Sequence, residues 1–594
     1  MIHSIRCLSI VLFALLSVPS AQAQDIPAAP EGGQALVDAG LQSFEVGPDT
    51  TGNRELVDVA GPGFDKAIRM VCTQRGERWD VETRMPLPAA FQRGDVVLLR
   101  LWARAIETTH ESGQALFAAS VAMSNDPWRD QFSRALSVGR EWEHFDIPGR
   151  IEQDWQSGEI TLKFSAGFVP QTLEIGGVEL IHYGQGVAVE DLPNTRVTYA
   201  GREADATWRA EARQRIEEHR MAALTVRVID AMGEPVADAE VSVKLVRNAF
   251  DFGTMLLAWQ VVDQSDPVNE TYRRKFLELF NAGSFGNALK WPAWNGEWGE
   301  RHTREVTMAA LQWMQDRGIP CRGHVMIWPG WHNLPRSLEP LRDGADPEAL
   351  QNVVLAHIDD IALTTRGYVS EWDLINEPYH NHDLMDICGR GAMVEWFKRA
   401  QARLPGVPLA INEFNILTAL SDNPQQEHFE ETLGYLLNEG APVDVIGIQG
   451  HFASSVPSPE RMLVVLDRFA KFGLPIRVTE YTLENDDESL RYDFTRDVLT
   501  VLYSHPSVVG FQMWGIGQAV NEDGSLTVLG KAYRELVHET WRTEAAGQTD
   551  AEGAFTTRGH LGRYGITVTH GGGTQQLTFD LTQDGPAMMV RVGD

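Results

Sequence analysis

The order of apolar and polar positions divides the chain into two main patterns. From residue 36 to 185, short runs alternate apolar and polar, with turn residues between them, as in the stretch from Val96 to Arg104, in Ile160–Phe164 and in Leu173–Leu180. A period of two marks a half-buried strand, and many such strands without helices predict a β-sandwich. From about 249 to 541 the pattern changes to strand–helix alternation. Apolar strands are predicted at Phe250–Leu256, Ala282–Leu289, Pro320–Trp328, Val369–Glu377, Pro408–Phe414, Val445–Phe452, Ile476–Tyr481 and Val508–Trp514. Between them, helical periodicity covers Glu270–Phe280, Arg304–Arg317, Pro347–Thr364, Met393–Leu404, Gln425–Glu439, Pro459–Phe472 and Asp487–Tyr503. That alternation predicts an α/β fold of the (β/α)8 TIM barrel type.

Shorter pieces flank the barrel. Residues 203–222 read as a charged helical connector. Residues 223–248 and 543–594 are strand-like and Gly-rich, and neither is large enough to bury a core by itself. They are expected to pack together as one small β-sandwich beside the barrel.

Composition narrows the function classes. The 594 residues carry a formal net charge of -31, which disfavours nucleic acid and anionic membrane as partners and suits a neutral substrate. Residues 1–23 read as a cleavable signal peptide, with Arg6, an apolar run and the small-residue site Ala21-Gln22-Ala23, so a secreted or periplasmic protein is expected, without a membrane anchor. Cys72, Cys321 and Cys388 remain after it, an odd set without metal-ligand spacing. A monomer is expected. The 17 Trp exceed what packing alone calls for, and some are candidates for stacking on sugar rings: Trp128, Trp142 and Trp155 in the sandwich, Trp291, Trp294, Trp298 and Trp331 in the barrel.

In a (β/α)8 barrel the chemistry gathers at the C-terminal strand ends. The fourth predicted strand ends in Asn376-Glu377 and the seventh in Glu480-Tyr481. Carboxylates at the ends of buried strands are costly without a role. Two that face each other across a mouth are what glycosidic bond cleavage requires, one as proton donor and one as nucleophile. The other strand ends supply Asn287, Lys290, His324, Trp328, Asn412, Gln449, His451 and Trp514, a set of donors, acceptors and aromatics suited to a polyol. Glu413 is a third carboxylate, placed in support rather than in the reaction.

On these residues the stretch from about 249 to 541 resembles glycoside hydrolase family 10, the endo-1,4-β-xylanases. The stretch Trp372–Pro378 resembles the family's acid/base motif and Val478–Thr482 its nucleophile motif, which implies Glu377 as acid/base, Asn376 as a contact to the sugar 2-hydroxyl and Glu480 as nucleophile. Matches at Asn287 and Lys290, His324 and Trp328, Asn412, Gln449 and His451, and Trp514 follow in order along the chain. The resemblance implies retention of configuration and no cofactor. The leading module is similar to jelly-roll carbohydrate-binding modules, and the layout as a whole to multidomain members of the family.

Some positions depart from the family pattern. Gly286 stands where a sugar-binding Glu is usual, Pro329 and Trp331 replace a His and a Gln, Thr482 replaces the acidic or His residue that supports the sixth-strand His, and the second Trp after Trp514 is missing. These positions concern sugar contacts, not the catalytic pair. Three readings are therefore carried: a retaining enzyme on xylan-type polysaccharide, the same chemistry on another β-linked glycan, and a non-catalytic carbohydrate-binding protein. The first requires Glu377 to stay protonated, with the charge of Glu480 expected to raise its pKa.

Overall fold

The computed structural model describes residues 26–37, 41–195, 198–342, 346–485 and 487–593. The segment read as a signal peptide lies outside them.

Eight parallel strands close into a barrel: β1 (Asp251–Leu256), β2 (Ala282–Phe285), β3 (Cys321–Gly323), β4 (Glu371–Asn376), β5 (Leu409–Glu413), β6 (Val445–Phe452), β7 (Ile476–Leu483) and β8 (Val508–Met513). Pairing of β8 back onto β1, with Asp251 opposite Gly510, removes the free edges. β4, β5 and β6 are buried along their whole length, which is why they read as continuous apolar runs. Two strands are shorter than their apolar runs suggested: β2 stops at Phe285 and β3 at Gly323, so Asn287, Lys290 and Trp328 lie on the loops that follow.

A helix follows each strand and covers the barrel: α1 (Pro267–Leu279), α2 (Arg304–Gln315), α3 (Pro347–Thr365), α4 (Ala392–Arg403), α5 (Pro424–Asn438), α6 (Pro459–Ala470), α7 (Glu488–Ser504) and α8 (Val528–Arg534). Their starts are written locally. Asp266, Thr303, Asp346, Asn423, Ser458 and Asp487 each cap a first turn with a side-chain oxygen, and α1, α3, α5 and α6 have Pro just inside.

The leading module is two antiparallel sheets of seven and four strands around Leu101, Phe117, Leu162 and Ile175. A helix, Thr207–His219, connects it to the barrel region. Beyond it, Met221–Ile229 pairs with Ala554–His560 and Met588–Arg591, while Glu240–Asn248 pairs with Glu544–Gln548 and Gly562–His570. The two sheets enclose one core built on Val226, Val243, Tyr564 and Ile566, so residues more than 300 positions apart share it.

The sandwich sits on the barrel rim. Ser137 Oγ lies 2.6 Å from Ser454 Oγ and accepts from Ser455 N at 3.0 Å, and Gln114 Nε2 donates to Ser455 O at 2.6 Å. These bonds tie sandwich strand Asp130–Val138, and Gln114 in the loop between strands Val96–Thr108 and Ala115–Met123, to the residues that follow β6.

Candidate active site

Both strand-end carboxylates are buried at the mouth. Glu377 leaves β4 with φ 55°, a left-handed conformation rare for a residue with a side chain, and such strain concentrates at functional positions. Four N–H groups converge on its carboxyl. Oε1 accepts from Gln449 Nε2 at 2.8 Å and Asn376 Nδ2 at 3.0 Å, and Oε2 from Trp328 Nε1 at 3.1 Å and Asn381 Nδ2 at 3.2 Å. The loop carrying it is held from below by Glu413, which accepts from Tyr379 N, Phe414 N and Gln425 Nε2. Burial pushes the Glu413 carboxyl up to about 7.

Glu480 is held by a different set. Asn412 Nδ2 donates to its Oε1 at 2.9 Å, His451 Nε2 lies 3.3 Å from its Oε2, and His324 Nδ1 lies 3.9 Å from its Oε1. Asn412 also donates to Asn376 Oδ1 at 2.9 Å, so one buried amide ties the two carboxylate groups into a single network. Thr479 Oγ1 fixes that amide by donating to Asn412 Oδ1 at 2.9 Å. Beneath lies a buried ion cluster in which Asp373 meets Arg322 and sits 2.8 Å from His324 Nδ1, while Arg477 donates to Glu371 at 2.8 Å.

The two carboxyls are driven apart electrostatically. Burial raises the Glu377 pKa well above the ordinary glutamate value, with the charges of Glu111, Glu413 and Glu480 adding in that order, and the Gln449 bond opposes them. The Glu480 charge raises it as expected, but desolvation leads and a sandwich residue, Glu111, comes second. For Glu480, burial acts upward too, but the charge of His324, the bond and charge of His451, and Arg322 outweigh it and hold the carboxyl at about 2. His451 is itself raised. Burial opposes its charge, and the Glu480 bond with the Glu111, Glu480 and Glu484 carboxylates prevails. Lys290 is lowered because burial outweighs the Glu480, Glu377 and Glu111 carboxylates, and its Nζ lies 4.8 Å from the Trp328 ring centroid. Two carboxyls pushed in opposite directions are the signature of an acid and a nucleophile sharing a site.

Most residues singled out from the sequence meet here. Asn376, Asn412, Gln449, His451, His324 and Trp328 join the network directly, and Trp514 stands edge-on between His324 and His451 at 5.1 and 6.3 Å. Two do not touch the carboxylates. Among the described residues Asn287 makes only a backbone bond to Lys290, and Trp331 donates its N–H to Asp383 while its ring packs on the barrel core. Of the other barrel Trp, Trp291 is stacked on His357 at 4.0 Å and Trp294 donates to Asp360, so both are interior residues and not sugar platforms; Trp298 is 43% exposed. In the sandwich, Trp142 packs against Phe64 and Arg104 and Trp155 donates to Gln131, whereas Trp128 is exposed beside Arg84.

The departures have structural counterparts. A Cβ on Gly286 would lie 2.8 Å from Met255 Cγ and Sδ, so Met255 takes space a larger residue would need. Thr482 Oγ1 lies 3.0 Å from His451 Nδ1 and supports that ring. A Cβ on Gly330 would fall 2.3 Å from Asn381 Oδ1, so glycine there lets the β3 loop approach the residue that donates to Glu377.

Sequence reasoning gave no role to Asp373, although it lies inside the Trp372–Pro378 stretch, and missed Asn381, four residues past Glu377, and Glu111, whose Oε2 lies 3.3 Å from His451 Nε2. Glu111 is an acidic residue in a polar loop that crosses between the two sheets of another domain, and no local signal marks it.

Residues 243–521 match the model of Glycosyl hydrolase family 10. The match covers the whole mouth except the sandwich loop. Among curated proteins, the Anti-sigma-I factor RsgI6 of Acetivibrio thermocellus is 29% identical over 63% of this chain and 49% of its own length. Endo-1,4-beta-xylanase 1 of Arabidopsis thaliana is 28% identical over 60% of this chain and 37% of its own. The chain thus spans about half or less of these relatives. Among solved structures, xylanase 10B from Thermotoga petrophila RKU-1 in complex with xylobiose aligns with 49% of this chain and 95% of that one, at 20% identity and a TM-score of 0.44. Every residue of the Glu377–Glu480 network apart from Glu111 lies within the matched residues 243–521.

Proposed function

We propose that the protein is a retaining glycoside hydrolase acting on β-1,4-linked polysaccharide of the xylan type. One observation carries this reading: two buried carboxyls, joined through Asn412 and Asn376, with Glu377 raised and Glu480 held at about 2. The family 10 match and the xylanase relatives support the substrate class. Glu480, ionised across the working range, attacks the anomeric carbon. Glu377, kept protonated by burial, delivers its proton to the leaving oxygen. Glu377 then takes a proton from water as the glycosyl–enzyme ester is hydrolysed. His451 and Asn412 orient the nucleophile, and the buried Gln449 Oε1, free of a protein partner, offers an acceptor to a sugar hydroxyl. The same mechanism on another β-linked glycan is favoured by Gly286, whose space is taken by Met255.

The test is E480Q with a panel of plant and algal polysaccharides. Turnover should fall by about 10⁴-fold or more while oligosaccharide binding survives, the scale seen when a covalent catalyst is lost. Undiminished reducing-end release by E480Q refutes the nucleophile assignment. Wild-type activity confined to a non-xylan glycan moves the substrate to the second reading.

A further inference from the structure

The sandwich loop does more than dock. Glu111 Oε2 and Glu480 Oε2 each lie 3.3 Å from His451 Nε2, so a carboxylate from one domain and the nucleophile of the other share a single imidazole. The loop is anchored on both sides of Glu111. His110 Nε2 lies 3.8 Å from Glu484, Thr418 Oγ1 donates to Ser112 O at 3.2 Å, and Gln114 reaches Ser455. Gly113, at φ 73°, permits the closest approach, since a Cβ there would fall 2.0 Å from Asn415 Oδ1. The rim above β5, β6 and β7 is therefore walled by the sandwich. Within this wall the Glu111 side chain keeps 49% of its surface exposed. It is firmly placed and still open to a ligand.

We infer that the sandwich completes the active site and that Glu111 is a specificity-determining residue. It accepts a hydrogen bond from a hydroxyl of a neutral sugar and turns away glycans that carry a uronate branch at that position. The inference rests on the glycosidase reading above. A uronate entering there meets the carboxylates of Glu111, Glu480 and Glu484; of the cations at hand, His451 already faces all three and Lys290 faces Glu480, Glu377 and Glu111. Like charges at such range in a partly screened site discriminate strongly.

The experiment compares kcat/KM on a linear β-1,4-xylo-oligosaccharide and on the same oligosaccharide bearing a glucuronate branch, for the full-length wild type and for E111Q and E111A. Any change in the His451–Glu480 pair affects both substrates and cancels in the ratio, as does a loss of stability, which thermal melts record separately. The preference of the wild type for the neutral substrate should drop about tenfold or more in E111Q, in line with removal of one short-range like charge. E111A, which also lacks the acceptor, should in addition raise KM on the neutral substrate. A ratio that stays within about twofold in both variants overturns the role of Glu111 and leaves the enzyme reading intact. Failure of the wild type to cleave either oligosaccharide overturns both.

Discussion

Removing His324 should move the acid limb of the pH–rate profile. Burial pushes the Glu480 carboxyl upward, and the charge of His324 is the largest influence bringing it down to about 2. His324 Nδ1 lies 3.9 Å from Glu480 Oε1. At that distance two unit charges interact by about 4 kcal/mol in a site with an effective dielectric near 20, equivalent to ~3 pKa units. Asp373, 2.8 Å from the same nitrogen, takes part of that influence, so a rise of roughly 1–3 units is expected for H324Q. Glutamine carries no charge at any pH, so H324Q removes this influence while keeping a polar side chain. The assay is kcat/KM on a soluble oligosaccharide from about pH 2.5 to 8, with the free-enzyme limb read from its lower side. Wild type should keep its activity down to the lowest pH at which it stays folded, while H324Q should lose it between about pH 3 and 5. Glutamine can still donate to Asp373, so a melt at neutral pH separates this effect from unfolding. An acid limb that moves by less than about half a unit in folded H324Q refutes the electrostatic account of the nucleophile.

Two further outcomes follow from the packing. Glu413, raised from 4.5 to about 7 by burial, favours the folded state while protonated, so its contribution is complete below about pH 4.5 and is lost as pH rises toward 7; E413Q should lack this part of the slope, on the order of 3 kcal/mol, and equal pH slopes in urea midpoints of the two proteins would count against it. Removing residues 543–593 takes away the partners of Met221–Ile229 and Glu240–Asn248, and amide exchange in both strands should speed up; unchanged protection would refute their shared core.

The sequence makes the barrel legible for a simple reason. Its strands are buried on both faces and its helices on one, so the change of period from strand to helix survives in the residue order. Strand ends are less legible. Leu289 and Ile327 extend apolar runs past Phe285 and Gly323, because these loop residues are buried as deeply as strand residues. The proposed pair is visible because each member follows an apolar run, Glu377 just past the end of β4 and Glu480 in the last half of β7. The same rule fails for Trp291 and Trp294: a tryptophan near the mouth looks alike in sequence whether it faces sugar or His357 and Asp360. Glu111 marks the limit of local reading. Its meaning comes from a contact between domains, 340 positions from His451, and the loop that carries it between the two sheets has the composition of any exposed turn.

That limit also bears on the mechanism. A barrel read alone would assign the elevation of Glu377 to its catalytic partner, the nearest carboxylate that motif and strand order supply. In the structure burial acts first and Glu111 second, ahead of Glu413 and Glu480. The acid/base residue is thus tuned in part from outside its own domain, and so is His451, which faces Glu111 and Glu480 together. Sandwich and barrel are consequently coupled through charge as well as through the Ser137, Gln114 and Ser455 contacts. Anything that lifts the loop by a few ångströms removes a negative charge from the mouth. It makes His451 less readily protonated and Glu377 easier to ionise, which weakens both the orientation of the nucleophile and the supply of the acid proton.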